Sequence, residues 1–396
     1  MTITYHFAAA TTSFKDTLSQ FSTLPYDHGN VQALETLPIF GVVLVIADNA
    51  LNSTNKHPDA LMQSWADEHQ FLLAVVPKET NYQPLSVDKH SGSLPKTTVF
   101  RYILLPKERK NITPAKRETI AHIVDEQITA FFRQKLKPKP NYNFAVNDKG
   151  EVDNFELTAP KTQHYLDCHI LNIAQMLRQH KLACFDMDST LIKQEVITEL
   201  AKMAGVGEQV AAITEQAMRG EIDFATSFGQ RVALLKDLPA TIIDEIKPLL
   251  IPQTGAFVTI AALKAMGYHT VLISGGFLPF AEYIATLLGI DEYHANPLDI
   301  ADGKLTGEIV APIIDGKAKA KLVAKIADRL AIDLDEVICI GDGANDLPMM
   351  AISDIGMAYR AKPIVQVRAD VALNVTGLEG VLYALGHSTL QQHSTN

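Results

Sequence analysis

The chain has 396 residues, of which 47% are hydrophobic and 20% are charged, a composition typical of a soluble protein with two or three globular domains. Its formal net charge of -10 argues against nucleic acid as the main partner, because binding to a phosphate backbone needs clustered Lys and Arg. The three cysteines show no paired spacing, so they predict neither a disulfide framework nor a zinc motif and fit a reducing cytoplasm. The longest apolar run, "FGVVLVIA", is too short to cross a membrane, and the first residues lack the pattern of a secretory signal.

The first half alternates short apolar runs with two segments of helical periodicity. The order β-α-β-β-α-β is ferredoxin-like, and in topology it resembles the ACT-type domains, small regulatory modules that bind amino acids. A small α+β domain that only helps oligomerisation, for example as a homodimer contact, is the alternative. The predicted strands are 41–47, 71–77, 97–105 and 141–147, and the predicted helices are 57–70 and 113–136.

The pattern changes after a segment with helical periodicity at 161–180, which we predict to be a linker helix. From residue 181, the apolar runs "LACFDM", "HTVLISG" and "EVICIGD" alternate with helical segments, which indicates an α/β fold with a Rossmann-like parallel sheet. Each run ends in Asp, Ser or Gly, and ligands of such sheets bind at the carboxyl ends of the strands. The predicted division is a first domain at 1–160, the linker helix at 161–180, and a second domain at 181–390 with a helical insert at about 196–255.

Asp186 and Asp188 follow the first of these runs, in "CFDMDST". Residues two apart in an extended segment point the same way, so both carboxylates can face one site. Two close like charges are costly unless a cation lies between them or one is protonated. Asp186 could therefore be an ionised nucleophile and Asp188 a protonated acid, whereas a solvated pair at a strand end is the alternative.

Three further stretches suit a phosphate and a metal ion. In "VLISGGF", Ser274 and the amide of Gly275 could cradle phosphate oxygens, although an ordinary strand-to-helix turn would look the same. In "GDGAND", Asp342 and Asp346 offer the hard oxygen ligands that suit Mg²⁺. Between these two stretches, "GKAKAKLVAKIA" (316–327) carries several lysines, and their spacing alone does not choose the one that reaches the site.

Taken in this order, "DMDST", "SGGF", a following Lys and "GDGAND" resemble the haloacid dehalogenase superfamily, in which a helical insert forms a cap over the active site. Within it, residues 181–385 resemble the phosphoserine phosphatase family most closely. The resemblance implies Mg²⁺-dependent hydrolysis of phosphoserine through an aspartyl phosphate, the last step of serine biosynthesis. It covers the first half only in the general sense that some members carry an ACT-like domain there.

The resemblance also assigns roles to individual residues. Asp186 is the nucleophile and Asp188 the acid and base, while Mg²⁺ binds the Asp186 carboxylate, the Asp188 carbonyl and Asp342. Ser274, the Gly275 amide and Lys319 hold the phosphoryl oxygens. Asn345 orients the phosphate, and Asp346 fixes Lys319.

For the rest of the substrate, the family positions that pair with the ammonium and the carboxylate are Glu195 and Arg231. Met218 and Phe224 match apolar residues that close over the substrate, although both could simply be cap core. A helix-terminal charge for Glu195 and a surface position for Arg231 are the alternatives. Two other functions stay open at this point: hydrolysis of another small phosphomonoester such as phosphothreonine or phosphohomoserine, and a regulatory binding protein with a vestigial catalytic half.

Overall fold

The computed structural model describes residues 4–6, 17, 38–51, 56–76, 87–88, 92–107, 113–136, 143–146, 152–156, 165–218, 221–387 and 391–393. For 4–6, 87–88, 92–93, 114–118, 122–123, 143–146, 152–156, 218 and 391–393, the description is of the backbone. The described residues form two main sheets, which correspond to the two halves of the sequence.

The first half supplies a strand that pairs with the chain's far end, a four-stranded sheet with its helices, and two short hairpins. Its strands are β1 (Thr4–His6), β2 (Phe40–Ala47), β3 (Phe71–Val75), β4 (Val87–Asp88), β5 (Gly92–Ser93), β6 (Thr97–Pro106), β7 (Asn143–Val146), β8 (Val152–Glu156) and β9 (Leu166–Asn172). Its helices are α1 (Asp48–Leu51), α2 (Pro58–Glu68), α3 (Pro114–Lys135) and α4 (Ile173–Leu177).

The four-stranded sheet has the order β3-β6-β2-β9, and its neighbouring strands are antiparallel. With α2 and α3 as the crossovers, this is the ferredoxin-like order that the sequence predicts. The fourth strand of the sheet is, however, a different segment from the predicted one. Residues 143–146 do form a strand, but β7 pairs with β8 in a separate hairpin.

The linker helix predicted at 161–180 is wrong over most of its described length. Leu166–Asn172 is the edge strand β9, and only Ile173–Leu177 is helical, started by a capping box between Asn172 and Gln175. Leu166 and its alternate neighbours face the helices of the first half, whereas Asp167, His169 and Leu171 face the second half and are buried. Because both faces of β9 are covered, the strand lacks the clean polar alternation that would reveal it.

The second half contributes a parallel sheet, its flanking helices and the cap helices α5 to α8. Its strands are β10 (Leu182–Phe185), β11 (His269–Phe277), β12 (Glu292–Asn296), β13 (Ile300–Ala301), β14 (Lys304–Leu305), β15 (Val337–Gly341), β16 (Ile355–Tyr359), β17 (Val371–Leu373) and β18 (Gln391–His393), which pairs with β1. Its helices are α5 (Val196–Met203), α6 (Gly207–Met218), α7 (Phe224–Ala233), α8 (Ile242–Ile246), α9 (Ala256–Ala265), α10 (Leu278–Leu288), α11 (Gly316–Arg329), α12 (Leu347–Met350), α13 (Pro363–Gln366) and α14 (Gly380–Ala384), with short 3₁₀ turns at Lys247–Leu249 and Leu334–Glu336.

The six-stranded sheet has the order β12-β11-β10-β15-β16-β17, and its strands are parallel. Its central strands β10 and β15 are buried along their whole length, which explains their uninterrupted apolar runs. The strand order reverses direction around β10 and β15, and the carboxyl ends of these two strands carry Asp186 and Asp342. A ligand crevice is expected at this point of the sheet.

The two halves meet through the face of the first sheet that carries Val43, Val45 and Val99, which pack with Tyr383 near the end of α14. Polar contacts accompany this apolar one. Asp167 accepts hydrogen bonds from the amides of Asn374 and Val375, both at 2.8 Å. Over the described ranges, no helix is both long and apolar enough to span a membrane.

Candidate active site

A buried lysine lies between two buried carboxylates at the carboxyl edge of the parallel sheet. The Nζ atom of Lys319 is 2.5 Å from Asp186 Oδ1 and 2.7 Å from Asp346 Oδ1. Asp186 follows β10, and Lys319 lies one turn into α11, whose N-cap Asp315 accepts from the Ala318 amide at 2.8 Å. A fully buried lysine is rare unless it is paired, and here two carboxylates surround it.

The charges of this cluster shift one another's pKa. Burial raises the pKa of Asp186 to about 7, the positive charge of Lys319 opposes this rise, and Asp346 adds to it. Burial alone would lower the pKa of Lys319, but the two carboxylates reverse this and hold it above its usual value. Burial, followed by the charges of Asp186 and Asp346, raises the pKa of Asp342 to about 8. The excess of negative charge here favours a bound cation.

Carboxylate oxygens of Asp186, Asp342 and Asp346 lie within 4.8 Å of one another. Hard oxygen donors in such a cluster fit Mg²⁺. The two oxygens of Asp346 are already used, because one accepts from Lys319 and the other from the Gly343 amide at 3.0 Å. Asp186 and Asp342 therefore offer the freer oxygens to an ion, and Asp346 supports Lys319.

Asp188 lies between the first cap helix and the glycine loop. Its Oδ1 accepts from the Val196 amide of α5 at 2.9 Å, and its Oδ2 is 2.8 Å from the place that a Cβ would take at Gly276. Burial raises the pKa of Asp188 well above its usual value, and the charges of Glu195 and Asp186 add to this. A carboxyl group with a raised pKa can carry a proton and deliver it.

Ser274, Gly275 and Gly276, called the glycine loop here, form an irregular stretch near the end of β11, where the register with β12 shifts between Ile273 and Phe277. Ser274 is fully buried, and its Oγ accepts from the Gly276 amide at 2.8 Å. The ring of Phe224, at the start of the cap helix α7, lies 3.1 Å from the place that a Cβ would take at Gly275. The cap helix α7 therefore contacts the loop through Phe224.

Glu195 and Arg231 both interact electrostatically with Asp188. Glu195 is exposed, and Ser189 Oγ donates to its Oε1 at 2.8 Å. Arg231 is half-buried, and its Nε donates to the Ser227 carbonyl at 3.2 Å. Burial lowers the pKa of Arg231, while Glu195 and Asp188 oppose this, so the three charges lie within electrostatic reach of one another.

Two residues of the predicted set remain. Asn345 lies close to Gly343 and to Gly316, the first residue of α11. Its Oδ1 is 2.2 Å from the place of a Cβ at Gly343, and its backbone oxygen is 2.7 Å from the place of a Cβ at Gly316. Met218 ends α6, and its side chain lies outside the described residues. The structure thus brings the other predicted residues to the carboxyl edge of the sheet and to the cap helices beside it.

Three buried residues that the sequence analysis did not single out also support this edge. Thr190 Oγ1 donates to Asp342 Oδ1 at 3.4 Å, and Gln253 Nε2 donates to the Ser189 carbonyl at 3.0 Å. Asn296 bonds the carbonyl of Gly275. Thr190 belongs to the "DMDST" stretch and was therefore within reach of motif reasoning, whereas nothing in the sequence around Gln253 or Asn296 marks them.

Comparisons with known proteins agree with this geometry. The sequence profile of the haloacid dehalogenase-like hydrolases matches residues 183–351. A protein of Schizosaccharomyces pombe named probable phosphoserine phosphatase is 44% identical over 229 residues, which cover 57% of this chain and 77% of that protein. The phosphoserine phosphatase of Vibrio cholerae is 34% identical over 316 residues, which cover 78% of this chain and 95% of that protein.

A solved structure described as a phospho-aspartyl intermediate analogue of phosphoserine phosphatase superposes with a TM-score of 0.50 at 40% sequence identity. The match covers 52% of this chain and 98% of that one.

Proposed function

Because this chain belongs to the haloacid dehalogenase-like hydrolases, and within them to the phosphoserine phosphatases, we propose that the cluster around Lys319 is the site at which it hydrolyses phosphoserine to serine and phosphate. The observation that supports this placement is the pairing of Lys319 with Asp186 and Asp346. That pairing holds the Asp186 carboxylate at the end of β10, beside the ammonium group of Lys319. The nearby carboxyl group of Asp188 has a raised pKa and can therefore carry a proton.

In the proposed mechanism, a carboxylate oxygen of Asp186 attacks phosphorus, and the bond from phosphorus to the serine oxygen breaks. Asp188 gives its proton to that departing oxygen. The Asp188 carboxylate then takes a proton from water, whose oxygen attacks the aspartyl phosphate and releases phosphate and free Asp186. Phosphoryl transfer depends mainly on positioning and charge neutralisation, which Lys319 and the Gly275 amide supply.

We propose Mg²⁺ as the metal, held by Asp186 and Asp342 together with the Asp188 carbonyl. Its chemistry when bound is neutralisation of phosphate charge and orientation of the phosphoryl group. The oxygen-only donor set of the cluster supports this choice. Thr190 would keep Asp342 oriented toward the ion through its hydrogen bond.

For the amino-acid end of the substrate, we propose that Glu195 pairs with the ammonium and Arg231 with the carboxylate. Their mutual proximity, inferred from the electrostatic coupling of Arg231 to Glu195, fits a small zwitterion whose two charges lie close together. The fork of an arginine suits a carboxylate in a bidentate contact. Phe224, whose ring lies against Gly275, would exclude water from the reacting phosphate. For Met218 we propose the same role of closing over the substrate, which the family resemblance implies.

For the first half, we propose an ACT-like regulatory or oligomerisation domain, through which two copies of the chain form a homodimer. The ferredoxin-like strand order supports this. Because β9 completes that sheet, we place the boundary between the domains near residue 180 rather than 160. The sedimentation-equilibrium mass of the full chain tests the dimer.

We also propose a cytoplasmic role as the last step of serine biosynthesis. Cys184 and Cys339 lie opposite each other on neighbouring strands as free thiols, which suits a reducing compartment.

A phosphate-release panel tests the proposed function. Phosphoserine, phosphothreonine, phosphohomoserine and phosphoethanolamine are compared with Mg²⁺, with EDTA, and with Mg²⁺ restored. We expect the highest kcat/KM for phosphoserine, with release stopped by EDTA and restored by Mg²⁺. A higher kcat/KM for another ester would reassign the substrate, and release that persists in EDTA would remove the metal from the proposal.

A further inference from the structure

Asn296 is the last residue of β12, is 1% exposed, and uses both ends of its side-chain amide. Its Nδ2 donates to the Gly275 carbonyl at 2.8 Å, and its Oδ1 accepts from the Ile314 amide at 2.7 Å. One side chain therefore joins two backbone segments that are distant in sequence.

The first of these segments is the loop that would cradle phosphate. The peptide unit between Gly275 and Gly276 is held at both ends, because its carbonyl accepts from Asn296 and its N–H donates to Ser274 Oγ. The loop lies where the ladder between β11 and β12 is interrupted, so the Asn296 side chain replaces the support that regular pairing would give.

The second segment leads into the helix that carries Lys319. Ile314 directly precedes Asp315, the N-cap of α11, and the Lys319 amide bonds back to the Asp315 carbonyl at 2.9 Å. Fixing Ile314 therefore fixes the start of the helix whose next turn presents the lysine. Both ends of the Asn296 amide are therefore hydrogen-bonded to the backbone.

We propose that Asn296 is a positioning residue that sets the spacing between the Gly275 loop and Lys319, and so aligns the two groups that neutralise the phosphoryl oxygens. This inference rests on the proposed phosphatase function. Asn296 acts through Gly275 and Ile314 and does not itself touch substrate.

The need for an amide follows from the two partners. Asn carries an NH₂ donor group and a carbonyl acceptor on one planar amide, which matches a carbonyl on one side and an N–H on the other. An ionised Asp would set a carboxylate oxygen against the Gly275 carbonyl, and Ala would leave both backbone groups buried without partners. Either change should alter the distance between the Gly275 loop and the start of α11.

The test compares Asn296→Asp and Asn296→Ala with the wild type, and Asn374→Ala serves as the matched control. Asn374 also makes side-chain hydrogen bonds, to Gln366 and Asp167, and neither partner belongs to the cluster around Lys319. We expect both Asn296 variants to lose about 10- to 100-fold in kcat, the loss that a misplacement of about 1 Å produces, while KM for phosphoserine changes less. Affinity for orthovanadate, which mimics the transferring phosphoryl group, should fall with kcat.

Asn374→Ala should lower the melting temperature and leave kcat and vanadate affinity unchanged. Wild-type kcat and vanadate affinity in either Asn296 variant, or an equal loss in Asn374→Ala, would overturn the proposal. If neither Asn296 variant folds, Asn296→Ser undergoes the same measurements. Vanadate affinity, measured by calorimetry, tests the role of Asn296 even if the wild type does not hydrolyse phosphoserine. Failure to hydrolyse phosphoserine would count against the proposed function alone.

Discussion

Lys319 and Asp186, which are far apart in sequence, meet at 2.5 Å in the interior of the protein, with Asp346 on the other side of the same ammonium group. The lysine and Asp346 are fully buried. Such a triad is held together by charge pairing, and the loss of any one partner leaves the others uncompensated.

Replacement of Lys319 by Met should therefore reduce both stability and activity. Two buried carboxylates would face each other without a cation, so we expect the free energy of unfolding to fall by about 3–5 kcal/mol. Turnover should fall by at least ~10²–10³, the usual effect of removing one electrostatic group from a reaction site. Urea denaturation and phosphate release measure the two effects.

The matched control is Lys321→Met on the same helix, where the side chain is exposed. It should change the unfolding free energy by no more than about 0.5 kcal/mol and leave turnover intact. Adding Asp346→Asn to Lys319→Met should recover part of the stability and none of the activity. Full activity in Lys319→Met would remove the lysine from the mechanism.

Gly276→Ala tests the packing around the proposed acid. A Cβ at this position would lie 2.8 Å from Asp188 Oδ2 and 3.1 Å from Ser274 Oγ, so Asp188 must move. We expect a loss of turnover of about 10²-fold, as for other misplacements of about 1 Å. Gly229→Ala is the control, because its Cβ would meet only Ile309 Cδ1, at 4.0 Å. Equal turnover in the two variants would contradict the placement of Asp188.

Arg231→Ala should reduce kcat/KM for phosphoserine much more than for phosphoethanolamine, which lacks the carboxylate. Truncating one partner of a buried charge pair costs about 2–5 kcal/mol, and Arg231 is half-buried, so the lower end of this range leads us to expect a difference of more than tenfold between the two esters. Arg329→Ala, at a surface pair with Glu292, should affect neither ester. Parallel losses on both esters in Arg231→Ala would exclude Arg231 from substrate recognition.

The contact between the two halves should depend on pH through Asp167. Burial raises the pKa of this carboxyl group from 3.8 to about 6, against the lowering effect of the hydrogen bonds from Val375 and Asn374. The folded state therefore binds the proton more tightly, so this group's contribution to stability is full below about pH 4 and is lost as pH rises to about 6. The loss amounts to about 3 kcal/mol at most.

Asp167→Asn keeps an oxygen that can accept from the two amides and does not titrate. Between pH 4 and pH 7, the unfolding free energy of the wild type should therefore fall relative to that of Asp167→Asn. The exposed Asp328→Asn serves as the reference for general pH effects. A constant difference between wild type and Asp167→Asn across this range would contradict the raised pKa.

The sequence predicted the second half well because its signals are local. Apolar runs that end in Asp, Ser or Gly mark buried parallel strands. Asp186 and Asp342 directly follow such strands, and Asp188 comes two residues after Asp186. The choice of Lys319 among its neighbours came from the family resemblance, and the structure agrees in geometry, since this lysine is buried while Lys317 and Lys321 are exposed.

The features that the sequence did not predict depend on contacts between segments that are distant in sequence. The sequence predicts a helix where the structure has the strand β9, because Asp167 and His169 face a buried surface that only the second half of the chain provides. Asn296 and Gln253 act through backbone groups from other parts of the sequence, and a single sequence carries no signal for such partners. Asn296 and Gln253 stand out only in the folded chain, where both polar side chains are buried.

The central claim is that Asp186 takes the phosphoryl group, and mass spectrometry of the acid-quenched enzyme tests it most directly. The full chain is mixed with phosphoserine and Mg²⁺, quenched in acid during turnover, digested, and searched for a phosphorylated peptide. We predict a phosphate on Asp186 that is absent from Asp186→Asn, together with loss of turnover in that variant. A phosphate on another residue, or continued turnover by Asp186→Asn, would contradict the account.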